Sequence, residues 1–136
     1  MPFQAIYYRL PDGREPVSDY IDQLRPADQA EVDWFIDLLN GLSDQNPELG
    51  DPYTSGLKGK GYGGFRELRA DCGRCHHRIL FRRSRRFFIL LHAFDKRGKD
   101  IPERDKALAR ARWEEFQTRM DSVPRGDPRA MGRDAP

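Results

Sequence analysis

Three strand-length segments stand nearly end to end in this chain: FRELRA at 65–70, HHRILFRR at 76–83 and RFFILLHAF at 86–94. DCGRC links the first two, and SRR leads into the third. Parallel neighbours need a crossover of roughly a dozen residues or more, so links this short leave only antiparallel pairing. The centre of the chain is thereby committed to an antiparallel meander, and the flanking segments must pack on it.

Those flanks read as one further strand and three helices. FQAIYYR at 3–9 is strand-like and stops at PDG, a turn signal. Pro16 suits a first helical turn, and Val17, Tyr20, Ile21 and Leu24 follow at helical spacing. Over 27–42, Ala30, Trp34, Leu38 and Leu42 form a second stripe, thickened by Phe35 and Leu39. Residues 43–56 read as a loop, and LKGKGYGG at 57–64 as a glycine-rich approach to the meander. Residues 103–119 read as the last helix, with Ala107, Leu108, Ala111, Trp113 and Phe116 as its apolar positions. The expected fold is α+β in the order β-α-α-β-β-β-α. It is a small antiparallel sheet with helices mainly on one face. One domain is expected over 1–120, and 121–136, rich in Pro, Gly and Arg with little to bury, as a disordered tail.

Charge is strongly segregated. Residues 57–99 carry 13 Lys/Arg against 3 Asp/Glu, whereas residues 1–56 carry 3 against 11. The formal net charge of +2 conceals this dipole. A basic block carried on strands is a rigid cationic surface, and its natural partner is a polyanion. The apolar runs are strand-length, too short to span a membrane. The N-terminus lacks the pattern of a signal peptide, so the chain is expected in the cytoplasm with its two cysteines reduced.

Strand alternation sorts the basic residues by face. If Leu68, Ile79 and Phe81 meet the helices, Glu67, Arg69 and Arg78 project together from the opposite face, with Lys96 and Arg97 near its rim. A solvated sheet face is the plain alternative. Several cations with one carboxylate among them put an anion-binding site on an equal footing with it, because held like charges repel unless neutralised.

LKG…ELR, RILF, LLHAF-x-KR and IPERDKALAR, in this order and spacing, resemble the phage-derived branch of the RelE/HigB-like toxins of type II toxin–antitoxin pairs. The similarity runs from about residue 3 to 116 and includes YYRLPDGREPVSDYIDQL. It implies a compact α+β fold, ribosome-dependent mRNA cleavage that arrests translation, and neutralisation by a cognate antitoxin. By position, Arg69, Arg78 and Lys96 or Arg97 match basic residues that the family ties to RNA binding and cleavage. Lys58 lies in the preceding basic stretch. Two departures stand out: the segment PERDKALAR offers no Tyr near the last helix, and the CGRCHH turn is not part of the pattern.

RNA is cut without metal or cofactor when its own 2′-hydroxyl attacks the adjacent phosphate. The protein then assists proton removal, stabilises the charged phosphorane and protonates the leaving oxygen. Arg69 and Arg78 suit phosphorane stabilisation, since a guanidinium binds phosphate oxygens as a fork. Lys96 can bind phosphate or exchange a proton. Glu67 is either a base or the partner that orients Arg69, the second being favoured. His92 titrates in the useful range, and is equally well a core histidine. Lys58, Lys60, Arg66, Arg82 and Arg97 are assigned to RNA binding. Cys72, Cys75 and His76 or His77 make half of a zinc pattern. A redox thiol pair is a second special reading of CGRC, haem attachment through C-x-x-C-H the least favoured, and an ordinary turn is the leading one. The competing functional reading is a non-catalytic module on the same fold that binds nucleic acid or an antitoxin.

Overall fold

The computed structural model of the protein describes residues 2–122. The chain runs β1 (Gln4–Tyr7), α1 (Pro16–Asp22), α2 (Pro26–Asn40), β2 (Thr54–Gly56), β3 (Phe65–Cys72), β4 (Cys75–Ser84), β5 (Phe87–Asp95) and α3 (Glu103–Ser122). This is a small α+β domain, and its meander, β3-β4-β5, is antiparallel as expected. Gly73 (φ 58°) and Arg85 (φ 57°) sit in the two tight turns, each in the left-handed region.

The five-stranded sheet has the order β1-β5-β4-β3-β2 and corrects the expectation in three respects. A short extra strand, β2, pairs antiparallel with β3 inside the segment read as a loop. The sheet is mixed, because β1 lies parallel to β5, in register from Gln4↔Phe87 to Tyr7↔Leu90. The β4–β5 hairpin leaves β5 with an open edge, and an open edge invites a strand. No short link joins β1 to β5, so neither polarity is enforced by loop length.

The third correction concerns the layers. The helices cover both faces. α1 and α2 bury Val17, Ile21, Val32, Ile36 and Leu39 against Leu68, Ile79, Phe81, Phe88 and Leu90. α3 buries Ala109, Trp113, Phe116 and Met120 against Phe65, Leu80, Ile89 and Leu91 on the other side. The apolar run FFILL in β5 accounts for this, since consecutive buried residues on a strand point to opposite faces and both must be covered.

Two helical stripes also differ from the sequence reading. Trp34 is 54% exposed and packs edge-on against Phe35 with ring centroids 5.0 Å apart, while Val32, Ile36 and Leu39 face inward. In α3 the inward set is 109, 113, 116 and 120, so Leu108 is exposed. α3 continues to Ser122, two residues past the edge expected at residue 120, and Met120 is buried in the core. The rest of the expected tail, 123–136, lies outside the described residues. Among the described residues, no helix is long and apolar enough to cross a membrane.

Candidate functional site

α3 does not cover its whole sheet face. Between its first turn and the β2–β3 end of the sheet lies a cleft of about 420 Å³. Lys58, Arg69, Lys96, Lys99 and Lys106 line it, with Ser55, Glu67, Asp100 and Glu103 among them. Glu67 and Arg69 stand two residues apart on β3 and so share a face. Ser55 is Glu67's direct cross-strand neighbour on β2. Lys96, Lys99 and Lys106 come from the β5–α3 connection and the start of α3.

Glu67 organises the floor. Its Oε1 accepts hydrogen bonds from Ser55 Oγ at 2.9 Å and from Arg69 Nε at 3.0 Å. Its Oε2 faces Arg78 Nε at 3.8 Å, so the buried carboxylate lies between two guanidinium groups. Arg69 also donates from Nη2 to Ser55 Oγ at 2.9 Å, and its Nη1 stands 3.8 Å from Asp51. Two of its nitrogens are thus used to aim the group, and its side chain remains 35% exposed in the cleft.

Arg78 is placed differently from the expectation that it projects freely. Its side chain is 8% exposed and donates to Asp71 Oδ1 at 2.7 Å and to the His77 carbonyl at 3.1 Å. It supports the floor from beneath and is not among the cleft-lining residues. Burial tends to raise the Asp71 pKa, and hydrogen bonds from Arg78 and His76 outweigh that and hold it below the usual carboxylate value.

The remaining basic candidates disperse. Lys58 and Lys96 line the cleft. Lys60 is exposed in the glycine-rich loop. Arg97 is exposed and ion-paired with Asp95 at 3.1 Å. Arg66 donates to Thr54 Oγ1 at 2.8 Å and lines a pocket with Leu39 and Phe88, on the α2 side of the sheet. Arg82 lies over Phe65 and Trp113, at 5.0 and 4.8 Å from their centroids. The basic block is therefore not one open patch, since several of its cations serve packing.

His92 reaches the α3 side because β5 bulges. The pairing steps from Leu80↔His92 to Phe81↔Leu90, which leaves Leu91 as the extra residue. His92 Nε2 meets Asp105 Oδ1 at 2.7 Å, and Arg112 Nη1 lies 3.4 Å from Nδ1. The ring is mostly buried beneath α3 and does not line the cleft. Burial lowers its pKa below 6.5, against the opposing pull of Asp105. Folded protein thus keeps His92 neutral at a pH where an unfolded histidine takes up a proton. Stability is full above pH 6.5 and declines as pH falls below it. Thermal melts from about pH 7.5 down to about pH 5 should show this decline, and His92→Gln should flatten it. An unchanged slope in the variant would assign the decline to another group.

Some site residues escape the sequence reading. Lys99 and Lys106 gain meaning only once the α3 N-terminus closes the cleft. Lys106 Nζ donates to the Lys58 carbonyl at 2.8 Å and pairs with Glu103 at 3.2 Å, which ties the glycine-rich segment to α3. A tyrosine does reach the last helix, though from outside it. Tyr62 donates its hydroxyl to Glu103 Oε1 at 2.9 Å. Burial and that hydrogen bond raise its pKa, so it remains a protonated phenol.

The phage-derived protein Gp49-like family (DUF891) matches residues 19–114. The chain belongs to this family. No curated protein matches it. The Gp49-like match begins in α1, ends in α3 and includes every residue that lines the cleft. The family is associated with the toxin components of toxin–antitoxin systems.

Proposed function

We propose that this Gp49-like chain is the toxin of a type II toxin–antitoxin pair and cleaves mRNA on the ribosome, as its resemblance to RelE/HigB-like toxins implies. The observation that carries this reading is the cleft: four lysines surround a floor on which Glu67 and Ser55 fix the guanidinium of Arg69. A polyanion is the ligand that such a rim recognises. A pre-aimed guanidinium suits a phosphorane, because no reorganisation is needed as charge develops. In this mechanism the RNA 2′-hydroxyl gives its proton to water and attacks the adjacent phosphate, the P–O5′ bond breaks, and a 2′,3′-cyclic phosphate and a 5′-hydroxyl result. Arg69 stabilises the equatorial oxygens, Lys58, Lys96 and Lys99 hold the flanking backbone, and Lys106 braces the wall of the cleft. Glu67 acts as a positioning residue, since Oε1 is already engaged by two donors. Lys96 is the cleft group that this reading uses for proton exchange at the leaving oxygen. The partners are the ribosome, mRNA and a cognate antitoxin.

A second reading, a non-catalytic RNA- or antitoxin-binding module, draws on one feature. Glu67 is engaged by Ser55 and Arg69, and His92 faces Asp105 away from the cleft, so neither is a ready base. One experiment separates the two. Induced expression of the whole chain should arrest growth, and mapping of mRNA 5′ ends should reveal new cuts within translated frames. Co-expression of the antitoxin should restore growth. Arrest without new ends favours the binding module, and normal growth with abundant folded protein overturns the toxin reading.

A further inference from the structure

The opposite side of the sheet carries a second cluster, unrelated to the cleft. Cys75 and His77 stand two apart on β4 and point to the α1–α2 side, where Asp28 sits in the first turn of α2. One ligand-type atom from each residue lies within 4.8 Å of those of the other two. His77 is 2% exposed, and its Nδ1 is hydrogen-bonded to Tyr20 Oη at 2.6 Å. Its Nε2 is buried with no hydrogen-bond partner. A buried ring nitrogen left this way is costly as an N–H or as a lone pair, and in the lone-pair form a metal ion satisfies it.

We propose that Asp28, Cys75 and His77 bind one divalent transition-metal ion, zinc by ligand type. Thiolate, imidazole and carboxylate are the protein ligands that zinc takes. Tetrahedral bonds of about 2.0–2.3 Å space ligand atoms roughly 3.5 Å apart, which small side-chain rotations can reach from the observed cluster. Charge also balances, as a dication meets one thiolate, one carboxylate and a neutral imidazole. In the tautomer that donates Nδ1–H to Tyr20, the Nε2 lone pair is free for the metal, and the Tyr20 hydroxyl then orients the ring as an outer hydrogen-bond partner. The fourth position is open to water or a partner's ligand. The bound ion would join the start of α2 to the β3–β4 hairpin.

The set differs from the cysteine-centred one read from the sequence. His76 turns to the other face and pairs with Asp71 at 3.0 Å. Cys72 is buried, its thiol donates to the Ala70 carbonyl, and burial pushes its pKa up to about 11.

The test uses the full chain, reduced and freed of metal by chelator. Added Co²⁺ should give one equivalent of binding with a thiolate-to-cobalt charge-transfer band, and Zn²⁺ should displace it. The band should persist in Cys72→Ser and vanish in Cys75→Ser. His77→Gln and Asp28→Asn should each weaken Co²⁺ binding by at least about tenfold. Zn²⁺ should raise the melting temperature of the wild type but not of Cys75→Ser. Absence of the band from the wild type, or its retention in Cys75→Ser, overturns the site. The wild-type spectrum decides even if a variant fails to fold.

Discussion

Replacement of Arg78 by alanine should destabilise the fold by roughly 3 kcal/mol, since removing one partner of a buried ion pair leaves the other charge uncompensated. Three groups lose that partner together: Glu67 Oε2, the His77 carbonyl and Asp71. Asp71 is half exposed and recovers water, so most of the loss falls on Glu67. Arg69 and Ser55 still hold Oε1, which sets the effect near the lower end of what buried pairs show. For a domain of this size, roughly 3 kcal/mol is about a 10 °C fall in melting temperature. The companion experiment removes both charges. Arg78→Met with Glu67→Gln should recover much of the loss, because paired removal leaves no orphaned ion. A single variant that melts with the wild type would show that the buried charge of Glu67 does not depend on Arg78. Loss of toxicity in Arg78→Ala therefore says little about chemistry unless folding is measured alongside it.

Arg78 also marks the boundary of what the sequence discloses. Alternation places Glu67, Arg69 and Arg78 on one face, and they do share it. Whether that face is bare or covered depends on α3; β3 says little of this, whereas the consecutive apolar run Ile79-Leu80-Phe81 in β4 already puts the buried Leu80 on the α3 side. The stronger clue lies in β5, where FFILL is apolar at every position and so demands cover on both sides. The parallel β1 was hidden for a related reason. Period-two alternation identifies a strand and its faces but is identical for either direction of pairing. In α2 the bulky Trp34 mimics a core position on the neighbouring column, and Val32, Ile36 and Leu39 form the inward row.

The site was legible where its residues lie on one strand and obscure where they come from several elements. Glu67 and Arg69 follow from spacing alone. Lys99, Lys106 and Tyr62 need the closure of α3 against the glycine-rich segment, a contact between residues about forty apart in the chain. His92 needs the bulge at Leu91, since regular alternation would have turned it away from Asp105. Asp28 joins Cys75 and His77 only through the docking of α2 on the sheet.

Arg69→Ala should lower ribosome-dependent mRNA cleavage by about 10²–10³-fold, the range seen when one pre-aimed donor to a developing oxyanion is removed. The melting temperature should move far less than in Arg78→Ala, because the Arg69 side chain is 35% exposed and water can replace part of what it gives Glu67. That contrast separates the two arginines: one is needed for the fold beneath the site, the other for work within it. Arg69→Lys keeps the charge but loses the fork to Glu67 and Ser55, so it should restore RNA binding while cleavage stays well below the wild type. Lys96→Ala and Lys99→Ala, each removing a rim cation, should weaken binding in a salt-dependent way, with a smaller effect on the bound complex. The measurement is the rate of mRNA cutting in a reconstituted translation reaction, with melting temperatures of the same preparations. Wild-type cleavage by folded Arg69→Ala would move the chemistry out of this cleft, whatever the toxicity of the chain.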